Sequence, residues 1–124
     1  MKTLVLDLDE TLVHSSFTPH QARKADLLVP VVIDKTESTV HVLLRPGAIH
    51  LCQTLSSCYE VVIFTASLKK YAEPLVKLLE NSQNWCSHIL YREHCSFNVE
   101  LEAYVKDLSL LGRDLKDVII VDNS

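Results

Sequence analysis

No apolar stretch in this chain approaches the roughly 20 residues that a membrane span requires, so it carries no membrane segment of its own. No basic excess exists either: 12 Lys and Arg against 16 Asp and Glu leave a net charge of −4. That balance argues against direct nucleic-acid binding and against broad attraction to a membrane surface. Low-complexity tracts are absent, and the N-terminus runs straight into a strand pattern rather than a signal peptide, so the chain reads as intracellular. Cys52, Cys58, Cys86 and Cys95 contain no CxxC pair, which suits reduced thiols in a reducing compartment. Cys86, His88, His94 and Cys95 do bring metal-capable side chains within ten residues, yet their spacing matches no common zinc module, and the two histidines flank an apolar ILY segment that reads as a strand. What remains is 124 residues, 48% of them hydrophobic, enough for one domain with a substantial core.

The most informative stretch is VLDLDETLVHSS, residues 5–16. A run fit for the middle of a sheet drives directly into Asp7, Asp9 and Glu10. Alternate strand residues share a side, so an extended chain would place Asp7 and Asp9 together. Two carboxylates about 4–5 Å apart repel by roughly 3–4 kcal/mol at an effective dielectric near 20. A cation is therefore expected between them.

Along the rest of the chain, short apolar runs alternate with helical spacing. Lys2–Leu8 reads as the first strand, and Leu27–Asp34 and Thr39–Arg45 as two strands around a hairpin turn at Lys35–Ser38. A helix is expected from Pro46 to about Ser57, with Ile49, Cys52 and Leu55 on one face. Tyr59–Thr65 is the next buried strand, and Ser67 is placed to cap a helix through Leu79 that Pro74 breaks or restarts. His88–Tyr91 reads as a third strand, Ala103–Leu111 as a short helix closed by Gly112, and Lys116–Val121 as a fourth strand. Apolar strands separated by helices imply an α/β fold: an open parallel sheet with helices on both faces.

Ligands of such sheets sit beyond the carboxyl ends of the strands. Asp7, Thr65, Asp122 and Asn123 should converge there, with Lys106 in reach and a hairpin inserted after the first strand hanging over that edge as a flap. The plainer reading is that Asp, Thr, Asn and Ser simply end strands and start turns. For Thr65 or Asn123 alone it suffices; for Asp7 and Asp9 together after a buried strand, with an acid and an amide on another strand end, it does not.

DLDET at 7–11 matches the DxDxT signature of the haloacid dehalogenase superfamily, and DLDETLVHS resembles the form found in FCP/SCP-type protein phosphatases. FTAS (64–67), YREHC (91–95), YVKDLSLLGRDL (104–115) and VDNS (121–124) also resemble that family, in its order. The resemblance is strongest to small phosphatases of the C-terminal domain of RNA polymerase II. It implies a magnesium-dependent serine/threonine phosphatase with a haloacid dehalogenase-like sheet, acting through an aspartyl-phosphate on phosphoserine, with residues 12–45 as the flap. Asp7 would be the nucleophile and Asp9 the general acid and base. Thr65 and Lys106 would hold the phosphoryl oxygens. Mg²⁺ would sit on the Asp7 side chain, the Asp9 carbonyl and Asn123, with Asp122 close by. Arg92 resembles a family arginine near the phosphate, although such a residue is as often in a surface ion pair. Thr11 would brace the loop, and Glu10 and His14 would have structural or solvent roles.

By the same resemblance, Phe17, Val31, Ile33, Val40, Leu68 and Tyr71 would line an apolar pocket for a proline-containing part of the substrate, and the location would be the nucleus. The family continues past its metal-binding motif with another strand and helices, so residues 1–124 are expected to be a single domain truncated at its C-terminus, with an apolar edge on the fourth strand. Short extensions relative to the family fall before Leu27 and around Asn98–Glu102. Three rivals remain. A receiver domain would place its phosphorylated Asp after the third strand, where this chain has Tyr91 and Arg92. A non-catalytic interaction domain, like the import subunit of the mitochondrial inner membrane, is disfavoured by retention of both Asp7 and Asp9. A phosphatase of lipid-metabolism enzymes at the nuclear envelope, or a cytoplasmic relative, shares the chemistry and differs only in substrate.

Overall fold

Strands apolar on consecutive positions bury both faces, and here they do so in a parallel sheet. The computed structural model describes residues 1–123; Ser124, the last residue of the VDNS motif, lies outside them. The chain runs β1 (Lys2–Leu6), β2 (Val13–Ser16), β3 (Leu27–Ile33), β4 (Thr36–Leu44), α1 (Ala48–Leu55), β5 (Tyr59–Phe64), α2 (Lys69–Glu80), β6 (His88–Leu90), β7 (Ser96–Asn98), β8 (Ala103–Val105) and β9 (Val118–Val121). Short 3₁₀ turns occupy Arg92–His94, Leu108–Leu111 and Leu115–Asp117. The main sheet has the order β6-β5-β1-β9, every pair parallel.

Alternation sorts the side chains of β1 and β5 between two faces. Leu4, Leu6, Val61 and Ile63 pack with Ala48 and Cys52 of α1 and with Ala72, Leu75, Val76 and Leu79 of α2. Val5, Val62 and Phe64 point the other way, against Leu108 and Leu111 of a 3₁₀ turn. Helical segments thus cover both faces, the two α-helices on one and the 3₁₀ turn on the other. At the far edge, β9 leaves Ile119, Ile120 and Val121 40–48% exposed. All four cysteine thiols are free: Cys86 bonds to the His88 carbonyl, and burial pushes the Cys52 thiol up to about 11.

Several expectations are corrected. The flap has three strands, β2-β4-β3, because Val13–Ser16 pairs antiparallel with the end of β4. The β3–β4 turn is two residues, Asp34 and Lys35, both at positive φ (49° and 65°) as a primed hairpin turn requires, so Thr36–Ser38 lies in the strand. α2 passes through Pro74 unbroken: the missing N–H forfeits one helical bond, and the buried stripe Ala72, Leu75, Val76 and Leu79 holds the helix on the sheet. Ser67 does not cap α2, whose N-cap is Leu68 without a side-chain bond. Ala103–Val105 is a strand rather than helix. It pairs with β7, where Phe97 opposes Tyr104 edge-to-face at 5.2 Å, and only Leu108–Leu111 is helical before Gly112 closes the turn at φ 76°. The extension at Asn98–Glu102 forms the end of β7 and the turn that follows.

Thr3 and Glu60 tie β1, β5 and the approach to β9 together. The Thr3 hydroxyl donates to Glu60 at 2.8 Å, and Arg113 donates two bonds to the same carboxylate at 2.8 and 2.7 Å. The Arg113 fork holds Glu60 down to about 2 from an ordinary 4.5, with burial opposing it and the Thr3 bond adding to it. A carboxyl lowered in the fold stabilises it above the unfolded-state value and loses that contribution as pH falls toward the folded value. The melting temperature of Glu60→Gln is therefore expected to lie below that of the parent at pH 7, the gap closing as pH drops from about 4.5 to about 2; a gap independent of pH in thermal melts would refute this.

Candidate active site

The β1–β9 ladder runs one step past the strand: the Asp7 amide donates to the Val121 carbonyl at 3.0 Å, which fixes Asp7 at the carboxyl edge. Leu8 is then fully buried, and its carbonyl collects the amides of Leu12 at 2.9 Å, Val13 at 3.2 Å and Thr11 at 3.4 Å, with Glu10 at φ 65°. Backbone extension ends here, so the carboxylates of Asp7 and Asp9 turn to different partners. The expectation that extended backbone holds the two carboxylates together on one side is corrected accordingly.

The cation beside Asp7 is Lys106. Its ammonium lies 2.9 Å from Asp7 Oδ1 and 2.5 Å from Asp122 Oδ2, and all three side chains are only 11–12% exposed. Leu6 pairs with Val121, so Asp7 and Asp122 leave adjacent strands side by side. Burial pushes the Asp7 carboxyl up against the pull of Lys106. Burial likewise disfavours the Lys106 ammonium, but its bonds to Asp122 and Asp7 more than reverse that, so it stays protonated. Thr11 Oγ1 makes a long bond of 3.4 Å to Asp7 Oδ2, and Glu10 is occupied by His14 at 2.6 Å. Asn123 is exposed and shares a groove with Asp122, Glu10 and Thr11. Among the described residues no group of three or more His, Cys, Asp or Glu is placed to hold a metal ion. The oxygen ligands that this sheet edge offers are the carboxylates of Asp7 and Asp122 and the Asn123 amide, a hard donor set short in carboxylates. Magnesium suits such a set, because it keeps several waters and takes only one or two carboxylates.

Thr65, buried at the end of β5, receives the Ser67 amide on its hydroxyl oxygen at 3.0 Å and has no bonded acceptor for its own proton among the described residues. Asp9 is gripped from the other side: Ser67 Oγ donates to Oδ2 at 2.6 Å and the Tyr71 hydroxyl to Oδ1 at 2.9 Å. Ser15 bonds to the same Tyr71 hydroxyl and, since that proton goes to Asp9, is its donor. Burial first, then the charge of Asp9, pushes the Tyr71 phenol upward, so it remains a donor. The Ser67 and Ser15 contacts escape sequence reading. Ser67 lies in FTAS but looks like a helix cap, and nothing local signals that it turns toward a loop 58 residues away.

A cleft of about 360 Å³ opens beside Asp9 between the flap and the start of α2. It takes in the whole expected apolar set, Phe17, Val31, Ile33, Val40, Leu68 and Tyr71, together with Arg92. Val31 and Val40 are buried in the flap core as well as lining the wall, while Phe17, Ile33 and Leu68 form an exposed rim. Arg92 makes no ion pair with a carboxylate among the described residues. Its Nε donates to the Ala66 carbonyl at 2.7 Å, and its guanidinium stacks 5.0 Å from the centre of the Tyr104 ring.

A family model described as NLI interacting factor-like phosphatase matches residues 2–124. The human CTD small phosphatase-like protein is 51% identical over 123 residues, covering 99% of this chain and 43% of that protein. Human carboxy-terminal domain RNA polymerase II polypeptide A small phosphatase 1 is 49% identical over 121 residues, covering 98% and 44%. The chain thus spans about two fifths of the length of these relatives. Among solved structures, the fission yeast RNA polymerase II CTD phosphatase Fcp1 bound to beryllium fluoride superposes with a TM-score of 0.78 at 21% identity, over 96% of this chain and 36% of that one.

Proposed function

The chain belongs to the NLI interacting factor-like phosphatases, and from that membership and its geometry we propose that it hydrolyses phosphoserine and phosphothreonine in proteins through an aspartyl-phosphate on Asp7. The observation that carries this reading is a buried carboxylate at a strand end, held by Lys106, with a second carboxylate two residues on that is aimed by two hydroxyls toward an adjoining peptide-sized cleft.

Asp7 attacks phosphorus while the serine oxygen leaves with a proton from Asp9; Asp9 then takes a proton from the water that cleaves the acyl-phosphate, releasing inorganic phosphate and restoring Asp7. Lys106 and the free hydroxyl proton of Thr65 face charge that grows on the phosphoryl oxygens, where preorganised donors have most effect. Tyr71 and Ser67 keep the Asp9 carboxyl in one orientation through both steps. Mg²⁺ would be held by Asp7, Asp122, Asn123 and the Asp9 carbonyl, and would supply neutralising charge for the phosphate. The relatives' names make the C-terminal domain of RNA polymerase II the foremost substrate candidate, and a nuclear location goes with it.

An aryl phosphate assay tests the reading. Turnover is expected with Mg²⁺, falling to background in excess chelator and returning when Mg²⁺ is restored; undiminished turnover in chelator would refute it. The cleft is tested separately. Phe17→Ala is expected to lower kcat/KM on a proline-containing phosphoserine peptide by about tenfold, about 1.4 kcal/mol, because aromatic rims suit extended proline-rich segments. Aryl phosphate does not reach Phe17 and should be hydrolysed as before; equal losses on both substrates would mean damage to the fold. Tyr71→Ala is a poorer probe of the cleft, since it also removes a donor from Asp9.

A further inference from the structure

The cleft beside Asp9 has two unlike walls. The flap wall, Phe17, Val31, Ile33 and Val40, is apolar, whereas the facing side carries Lys70 from α2 and Arg92 from the segment after β6. Seven of the 12 Lys and Arg side chains form ion pairs with carboxylates: Lys2, Arg23, Lys69, Lys77, Lys106, Arg113 and Lys116. Among the described residues Lys70 and Arg92 do not, although Lys69, next to Lys70, does.

Arg92 is nonetheless held in place. Its amide donates to the Ser67 carbonyl at 3.0 Å, its Nε to the Ala66 carbonyl, and its guanidinium lies on the Tyr104 ring, which the edge of Phe97 supports from β7. The two terminal nitrogens have no hydrogen-bond partner among the described residues and are free for a bidentate acceptor. Among the described residues Asp9 is the sole carboxylate lining the cleft, and both its oxygens are taken by Ser67 and Tyr71. Two cations against one capped carboxylate leave this side attractive to an anion in addition to the phosphate that the centre processes.

We infer that Lys70 and Arg92 form a subsite for a second anionic group on the substrate, an acidic side chain or another phosphate on the opposite side of the phosphoserine from the residue buried against the flap. Tyr104 serves as a positioning residue by presenting the Arg92 guanidinium. The inference rests on the phosphatase reading and narrows its substrate class to peptides that are apolar on one side of the phosphoserine and acidic on the other.

The test measures binding of fluorescent peptides to the unmodified chain, with a non-hydrolysable phosphonate in place of the phosphoserine phosphate. Three peptides share a proline: one is otherwise neutral, one carries glutamate beyond the phosphonate, and one carries phosphoserine there. A second charge at a partly exposed rim should tighten binding about fivefold, phosphate more than carboxylate because it carries more negative charge. The preference should shrink as salt rises from about 0.05 to about 0.5 M. It should fall to about one in Lys70→Ala, weaken in Tyr104→Ala, and survive in Tyr104→Phe, which keeps the ring. No preference in the unmodified chain, no measurable binding of any of the peptides, or a preference unaffected by Lys70→Ala would each overturn the inference. Aryl phosphate turnover in the same preparation separates the two readings: turnover without the preference sinks the subsite alone, and the preference without turnover sinks the phosphatase reading alone.

Discussion

Asp7→Asn should reduce turnover of aryl phosphate to background, a loss of about a thousandfold or more, and should abolish an acid-labile phosphoenzyme. An amide has neither the charge nor the nucleophilicity to form an acyl-phosphate. The structure also makes this variant interpretable. Burial already disfavours the ionised form of Asp7, so replacing it by a neutral residue of the same shape costs the fold little. Lys106 keeps its short bond to Asp122, and the backbone bond from residue 7 to Val121 does not depend on the side chain. A melting temperature near the parental one is expected beside the lost activity. Appreciable turnover in a folded Asp7→Asn protein would mean that another residue attacks phosphorus.

Lys106→Met should have the second largest effect, lowering kcat by about a hundredfold or more, as removal of a preorganised charge-stabilising group does elsewhere. Here stability should move as well. Methionine keeps the length of the side chain but leaves Asp7 and Asp122 facing one another in a site with little water. Removing one partner of a buried ion pair costs on the order of 3–5 kcal/mol; these side chains keep 11–12% of their surface, so the lower part of that range applies. Circular dichroism melts show whether the variant is folded at the assay temperature, and only then is its kcat compared. A folded Lys106→Met protein with near-normal kcat would reduce the lysine to a structural counter-ion.

Legibility from sequence followed the range of the forces involved. The two central strands, β1 and β5, were plain because burial on both faces demands unbroken apolar runs such as KTLVL and YEVVIF, and the edge strands β6 and β9 were plain from their own apolar runs. The flap was seen only in part: VHSS has a single deeply buried residue and is a strand because β4 is there to pair with it. Ala103–Val105 looked helical because Leu108–Leu111 supplies helix-like spacing just downstream, while the cross-strand contact of Phe97 with Tyr104 that decides the matter lies outside any local window. Asp7 and Asp122 leave adjacent strand ends, as strand-end logic requires, and Lys106 bonds to both. The hydroxyl grip on Asp9 was invisible, since it links residues 58 and 62 positions apart.

The placement of β1 at the middle of the sheet has a consequence for the order of folding. Leu4 finds its partners at Val61 and Ile119, so β1 gains its second neighbour only once β9, far downstream in the chain, is available. Pairings that close such long loops incur their entropy before any contact rewards it, and they slow folding. On a growing chain the flap and the β1–β5 pair can form early, whereas the strand that carries Asp7 keeps an open side until residues 118–121 arrive. The Asp7 carboxylate therefore acquires Lys106 and Asp122 only once β9 has docked, and a chain halted before that stage would present the apolar backbone edge of β1 as a site for aggregation.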